Sequence, residues 1–236
     1  MAAIDERGVR RIVERAREAG RTVLDESESL DLLDACGIPT CGRRRVDAQM
    51  GKAGLYEAAA RLGYPVVLKG IVAGLSHKTG AGLVHTGLGD ADAIGPAADA
   101  VVEAGGDGLE AFLLQSSVDS IRELACGLVR DESFGPSVMV GFGGVHAELV
   151  RDASFRVAPL DEADARVMID ELRTGGLLDL YRGGLPADRS SIQRILVALG
   201  ELGLAVDEVA EVDVNPLMIT SDGAPVAVDA LAVLSD

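Results

Sequence analysis

Lys69 closes the run Tyr64-Pro65-Val66-Val67-Leu68-Lys69, which reads as a buried strand. A lysine there is either a cation directed at phosphate oxygens or a side chain that snorkels from a strand end. Residues 70–84 follow with Gly70, Gly74, Gly80 and Gly82, together with Ser76, His77, Lys78 and Thr79. Glycine lets a backbone approach an anion and line up N–H donors, although a plain surface loop has the same composition. The spacing matches neither a P-loop nor a dinucleotide fingerprint. A second glycine group, Gly141, Gly143 and Gly144, precedes Glu148, Asp152 and Arg156 at four-residue intervals. That pattern also describes a β-turn with an exposed row of ion pairs. Near the end, Asn215 and Asp229 interrupt two apolar alternations separated by the turn Ser221-Asp222-Gly223. If those strands pair, an amide oxygen and a carboxylate lie side by side. Such a sparse oxygen site suits Mg²⁺ held mostly by phosphates and water. An Asx turn at Asn215-Pro216 and an exposed strand-end Asp are the structural alternatives. A cation, two glycine groups, a metal pair and a loop histidine together make the parts list for phosphoryl transfer.

Positioning these groups takes two α+β lobes. Apolar spacing predicts an amphipathic helix over 4–19, with Arg and Glu mixed on its polar face. It predicts further helices over 24–36, 53–62, 91–104, 162–172, 177–181 and 189–204. Strands are expected over 64–69, 83–86, 111–115, 123–130, 137–141, 146–150, 155–158, 209–214, 217–220 and 225–233. The expected division is a first helix over 1–21, an N-terminal lobe over 22–110 and a C-terminal lobe over 111–236.

Composition narrows the partners. The chain of 236 residues carries a net charge of −16, which repels nucleic acid, and only 3% aromatic residues with no Trp, which leaves few stacking platforms. A polyanionic ligand therefore needs a local exception in this field. Cys36, Cys41 and Cys126 form neither an even set nor a metal spacing, and reduced thiols in a cytoplasm are the simple reading. No apolar stretch is long enough to span a bilayer, and the charged N-terminus lacks the core of a secretory signal.

The sequence resembles the ATP-grasp subunit or domain of the ADP-forming acyl-CoA synthetases, relatives of the succinyl-CoA synthetase β chain, over about residues 24–236. The resemblance rests on Leu-Leu-Asp-Ala-Cys-Gly-Ile-Pro (32–39), Gly-Tyr-Pro-Val-Val-Leu-Lys (63–69) and Ser-His-Lys-Thr (76–79). It rests most specifically on Phe-Gly-Pro-Ser-Val-Met-Val-Gly-Phe-Gly-Gly-Val (134–145), Asp-Ala-Ser-Phe-Arg-Val-Ala-Pro-Leu (152–160) and Glu-Val-Asp-Val-Asn-Pro-Leu (211–217). It implies an ATP-grasp fold with the nucleotide in a cleft between two lobes, and ATP/ADP and Mg²⁺ as cofactors. Lys69 then matches a phosphate-contacting lysine and Gly82 belongs to the glycine loop. Gln115 to Val118 match the strand whose backbone reads adenine, and Glu123 a glutamate near the ribose. Asn215 and Asp229 match the Mg²⁺ ligands, Arg156 an arginine near the phosphates, and His77 a histidine that accepts phosphate. The resemblance further implies a CoA-binding, α-type partner subunit carrying its own phosphohistidine and handling carboxylate and CoA. The assembly would be a hetero-oligomer, or a homodimer when this chain is isolated. With the chain ending soon after Asp229, CoA chemistry is expected to come from that partner. The loop after His77 has Gly80 where the family usually has Asp, and Leu83 where it has a second Gly. Ser116 stands where a Glu is usual. Two rival readings are an ATP-grasp carboxylate–amine ligase, which needs no phosphohistidine, and a non-catalytic regulatory module.

Overall fold

The computed structural model describes residues 4–74, 82–143, 152–179 and 184–235. The N-terminal segment folds as two capped helices. Helix α1 (Glu6–Glu18) starts at Asp5, whose carboxylate accepts the Gly8 N–H, and buries Val9, Val13 and Ala16. Helix α2 (Glu26–Ala35) starts with a capping box in which Asp25 and Glu28 satisfy each other's backbone N–H.

These helices do not belong with the strand that follows them. The chain divides into a larger unit, residues 1–40 with 118–236, and a smaller one, residues 41–117. This corrects the expected lobes of 22–110 and 111–236 and the separate first helix over 1–21. The reason is backbone pairing at long range. The Leu24 N–H donates to the Ala232 carbonyl, the Leu234 N–H to the Thr22 carbonyl and the Ala227 N–H to the Pro39 carbonyl. The Ser29 hydroxyl accepts the Ala232 N–H, and Leu30, Leu32, Leu33 and Ile38 enter the core of the larger unit.

The smaller unit is a four-stranded antiparallel sheet in the order β1-β4-β2-β3, formed by β1 (Arg43–Asp47), β2 (Val66–Val72), β3 (Val84–Leu88) and β4 (Leu109–Ser116). Helices α3 (Gly51–Leu62) and α4 (Ala91–Gly105) cover one face through Leu55, Ala59, Ile94 and Val101, which meet Val46, Leu68, Phe112 and Leu114. Strand β4 was expected to open the second lobe. It instead lies between β1 and β2, with Leu113 paired to both Arg45 and Lys69. Strand β1 was not foreseen, since three consecutive arginines hide its alternation.

In the larger unit six described strands form one antiparallel sheet in the order β10-β8-β5-β6-β7, with β9 also on β8. They are β5 (Ser120–Asp131), β6 (Gly135–Phe142), β7 (Ala153–Val157), β8 (Val209–Thr220), β9 (Pro225–Ala227) and β10 (Ala230–Leu234). One face packs on α1, α2, α5 (Glu162–Asp170) and α6 (Arg189–Ala205) through a continuous apolar core. The expected strands over 209–214 and 217–220 are one strand with an irregularity at Asn215-Pro216. Leu124 pairs with Leu217 but Cys126 with Val214, so a single residue of β5 opposes two of β8. The strand expected over 225–233 is divided between β9 and β10. The helix expected over 177–181 is a 3-10 turn at Gly175–Leu178, and Leu180 and Tyr181 lie outside the described residues. The strand expected over 146–150 lies outside them as well. Among the described residues no helix is long and apolar enough to cross a membrane.

Candidate functional site

In the smaller unit, Lys69 sits within β2 on the sheet face turned away from α3 and α4. Leu68 and Gly70 flank it on the helix side, and it is itself only 7% exposed. Burying an ammonium this far costs several kcal/mol unless oxygen partners meet it. Gln115, buried on β4, shares this face, and its registered neighbours are Val67 on one side and Arg43 on the other. The segment after it is pinned by backbone bonds from the Ser116 N–H to the Gly42 carbonyl and from the Ser117 N–H to the Pro65 carbonyl. Gly82 has φ +73, a conformation that favours glycine, and leads directly into β3. His77 lies outside the described residues.

In the larger unit, register brings two predicted ligands together. Ala230 pairs with Val214, Ala227 with Leu217, and the Val228 N–H donates to the Pro216 carbonyl. Asn215 and Asp229 are thereby left opposite each other. They sit on the face of the sheet away from the core, because their neighbours Val214 and Ala230 are buried in it. Asn215 is exposed and Asp229 half-buried. Asp213, two residues before Asn215 on the same face, joins them and was missed as a candidate. The Asp-Val-Asn alternation on one strand was the available signal. Glu123 is half-buried on β5 and faces the same way, since Leu124 beside it is in the core. Among the described residues no three His, Cys, Asp or Glu side chains gather to hold a metal unaided. An amide oxygen with a carboxylate therefore fits a hard cation whose other ligands are phosphate oxygens and water.

Gly141 and Gly143 of the second glycine group, and Gly127 on the strand beside them, stand where backbones approach closely, and Gly144 lies outside the described residues. A Cβ on Gly127 would stand 2.4 Å from the Val212 carbonyl oxygen, one on Gly141 2.8 Å from that of Asp152, and one on Gly143 2.9 Å from the Leu124 backbone. None of the three has a positive φ. Gly127 is registered between Asp213 and Met139, so the sheet floor beside Asp213 carries no side chain.

Arg156 is not brought together with these groups. It pairs in register with Val138, a core residue, and so emerges on the helix-covered face of the same sheet. Its guanidinium lies 2.6 Å from a Glu171 carboxylate oxygen, whose other oxygen accepts from the Ser154 hydroxyl at 2.6 Å. The Arg156 hydrogen bond, with that of Ser154, holds Glu171 below its ordinary range. Asp152 is equally structural: it accepts the N–H groups of Arg173 and Thr174 and the Thr174 hydroxyl. Burial pushes its pKa up, but those bonds outweigh burial and the net shift is downward. Glu148 lies outside the described residues. Arg122, beside Glu123 but buried, donates to the carbonyls of Leu178, Asp179 and Leu185.

A family model described as an ATP-grasp domain matches residues 15–234. The β subunit of acetate–CoA ligase [ADP-forming] I from Pyrococcus furiosus is 31% identical over 230 residues, covering 95% of this chain and 97% of its own length. Acetate–CoA ligase [ADP-forming] I from Archaeoglobus fulgidus is 34% identical over 219 residues, but these are 90% of this chain and only 31% of that longer one. Among solved structures, a dinucleotide-forming acetyl-coenzyme A synthetase 1 from Ca. Korarchaeum cryptofilum, in complex with coenzyme A and Ca-AMPCP, superposes with a TM-score of 0.90 at 35% identity, over 96% of this chain and 99% of its own. The same protein with coenzyme A and Mg-AMPPCP, its phosphohistidine segment pointing towards the nucleotide binding site, gives a TM-score of 0.84 at 35% identity, over 96% of this chain and all of its own.

Proposed function

Since the chain belongs to the ATP-grasp domain family, alongside β subunits of ADP-forming acetate–CoA ligases, we propose that it is the nucleotide-binding subunit of an ADP-forming acyl-CoA synthetase. The observation that carries this reading is the register that sets Asn215 opposite Asp229 on the face of the larger sheet away from its core. These two oxygens would hold Mg²⁺ in company with the phosphates. When bound, the ion neutralises charge that develops as the γ-phosphoryl group leaves. Lys69 contacts phosphate oxygens, the backbone around Gly82 closes over them, Gln115 to Val118 receive adenine, and Glu123 accepts from the ribose hydroxyls.

His77 takes the phosphoryl group. A neutral imidazole nitrogen attacks the γ-phosphorus, the bond to the β–γ bridging oxygen breaks, ADP leaves, and a phosphoramidate forms. Its N–P bond is labile enough to pass the group on to a phosphohistidine of a CoA-binding subunit, which converts carboxylate and CoA into the thioester. That subunit is a separate chain when this one acts as a β subunit, as in the P. furiosus relative; the longer A. fulgidus relative joins more sequence in one chain. Arg156, held by Glu171 on the other face, supports the sheet in this scheme. The reaction is proposed to run in the cytoplasm, where ATP, CoA and reduced thiols occur together.

The test is labelling with γ-³²P Mg-ATP, with and without a CoA-binding partner. Acid-labile label that is lost in His77→Ala and Asp229→Ala is the expected result. Thioester formation by His77→Ala at the wild-type rate would exclude the relay and favour a ligase that makes acyl phosphate directly.

A further inference from the structure

The smaller unit holds a cationic row of which the nucleotide reading has used only Lys69. In register, Arg45 pairs with Leu113 and Leu113 with Lys69. Residues directly opposed across an antiparallel ladder share a face. Arg45 and Lys69 therefore stand on either side of Leu113, on the face away from α3 and α4, with backbones about 10 Å apart at two strand spacings. One step along β4, Arg43 flanks Gln115 in the same way. Arg44 between them pairs with Leu114 and faces the helix side, where Leu114 is part of the core.

The charge distribution sets this row apart, with Asp47, paired with Ala111, as one acid on the same face. The smaller unit has seven Lys and Arg against eight Asp and Glu, while the larger has 15 against 30. Three of those seven cations are consecutive, and two of the three share the Lys69 face. In a chain of net charge −16, an incoming polyanion is attracted only where positive groups are focused. Arg45 is exposed, and its planar fork of donors fits phosphate oxygens two at a time.

We infer that Arg45 is a second phosphate-binding cation, which with Lys69 holds the nucleotide's polyphosphate from two strands and makes affinity depend on the number of phosphates. Arg43 extends the same field toward Gln115. The inference rests on the nucleotide reading above. Its consequence is discrimination: a triphosphate spans both cations, whereas a monophosphate satisfies one.

Calorimetric titration of the full chain with Mg-ATP and with AMP separates the outcomes. Arg45→Gln is expected to weaken Mg-ATP binding by about tenfold, the scale of one charge-assisted hydrogen bond. It should change AMP binding far less and flatten the salt dependence of Kd, with partial recovery in Arg45→Lys. Arg44→Gln, one residue away on the other face, is expected to change Kd by less than about twofold. Equal losses at Arg44 and Arg45 would reduce the effect to a general field and overturn the inference. So would unchanged binding in Arg45→Gln while Lys69→Met loses it, an outcome that leaves the nucleotide reading standing. Failure of the unmodified chain to bind Mg-ATP would remove that reading and this inference together.

Discussion

The two sheets carry opposite chemistry on the faces that lie away from their own helices. On the four-stranded sheet that face carries Lys69, Arg43, Arg45 and Gln115, with Asp47 at one end, over an apolar floor of Ile71, Ala111 and Leu113. On the six-stranded sheet it carries Glu123, Asp213, Asn215 and Asp229 beside the bare backbone of Gly127. A metal–nucleotide complex has both characters at once: anionic phosphates that want cations, and a hard cation that wants oxygen. Charge follows the same division, with nearly all of the net −16 in the larger unit.

If the division of labour is right, losses on the two sheets should differ in kind. Asp229→Ala removes a metal oxygen, and several kcal/mol of transition-state stabilisation goes with it, so phosphoryl transfer should fall on the order of a hundredfold or more. Lys69→Met should instead act on binding, raising the Kd for nucleotide about ten- to a hundredfold. Single-turnover labelling at saturating nucleotide, set beside calorimetry, distinguishes them; a common profile for both variants would break the comparison. A smaller contrast concerns glycine. A Cβ at Gly127 meets backbone, the Val212 carbonyl at 2.4 Å, whereas one at Gly70 meets only the side-chain ends of Leu83 and Val101 at 2.9 Å. Gly127→Ala should cost about 1–3 kcal/mol and Gly70→Ala less, with thermal melts giving the order.

Acid should act mainly on the larger unit, and with the least effect of these. Glu28 and Asp152 are pushed up by burial, but hydrogen bonds from Arg21 and from Thr174 respectively outweigh it. Glu171, Asp188 and Asp222 are held down by hydrogen bonds from Arg156, Ser191 and Thr220. All five end below the ordinary carboxylate range, and all five lie in the larger unit. Because the folded values are depressed, the stability they contribute is complete above the unfolded values, near pH 4, and is lost as pH falls through the folded ones. Hydrogen exchange corrected for intrinsic rates should show protection failing in residues 118–236 before 41–117 as pH drops from about 4.5 toward 3. The opposite order would mean that relief of the −15 self-repulsion outweighs the lost bonds.

How much of this could be read in advance depended on range. Lys69, Asn215 and Asp229 stood out as candidates because each interrupts a local apolar pattern, and the hairpin turn between the last two was itself legible. The capped helices were legible for the same reason. Arg43 and Arg45 were not, because their strand is recognisable only through its pairing with β4, some 70 residues later. The division between units failed on the same ground: nothing near Leu24 or Ser29 announces a bond to Ala232. Gly141 and Gly143 suggested a phosphate loop, but glycine is also chosen where two backbones must nearly touch. Arg156 could be assigned a face only after Val138 was known as its neighbour.

The return of residues 22–40 to the far end of the chain has a consequence for biosynthesis. The larger unit is a discontinuous body, opened after Thr40 and resumed at Val118. During vectorial synthesis α1 and α2 leave the ribosome about 200 residues ahead of β10, the strand on which they close. Leu30, Leu32 and Leu33 must wait with their apolar faces unsatisfied, while the inserted unit has all of its strands in hand once Ser116 has emerged. The nascent chain therefore spends up to about half of its elongation as a finished insert within an unfinished host, and the host's early helices are the segment that a chaperone would have to shield.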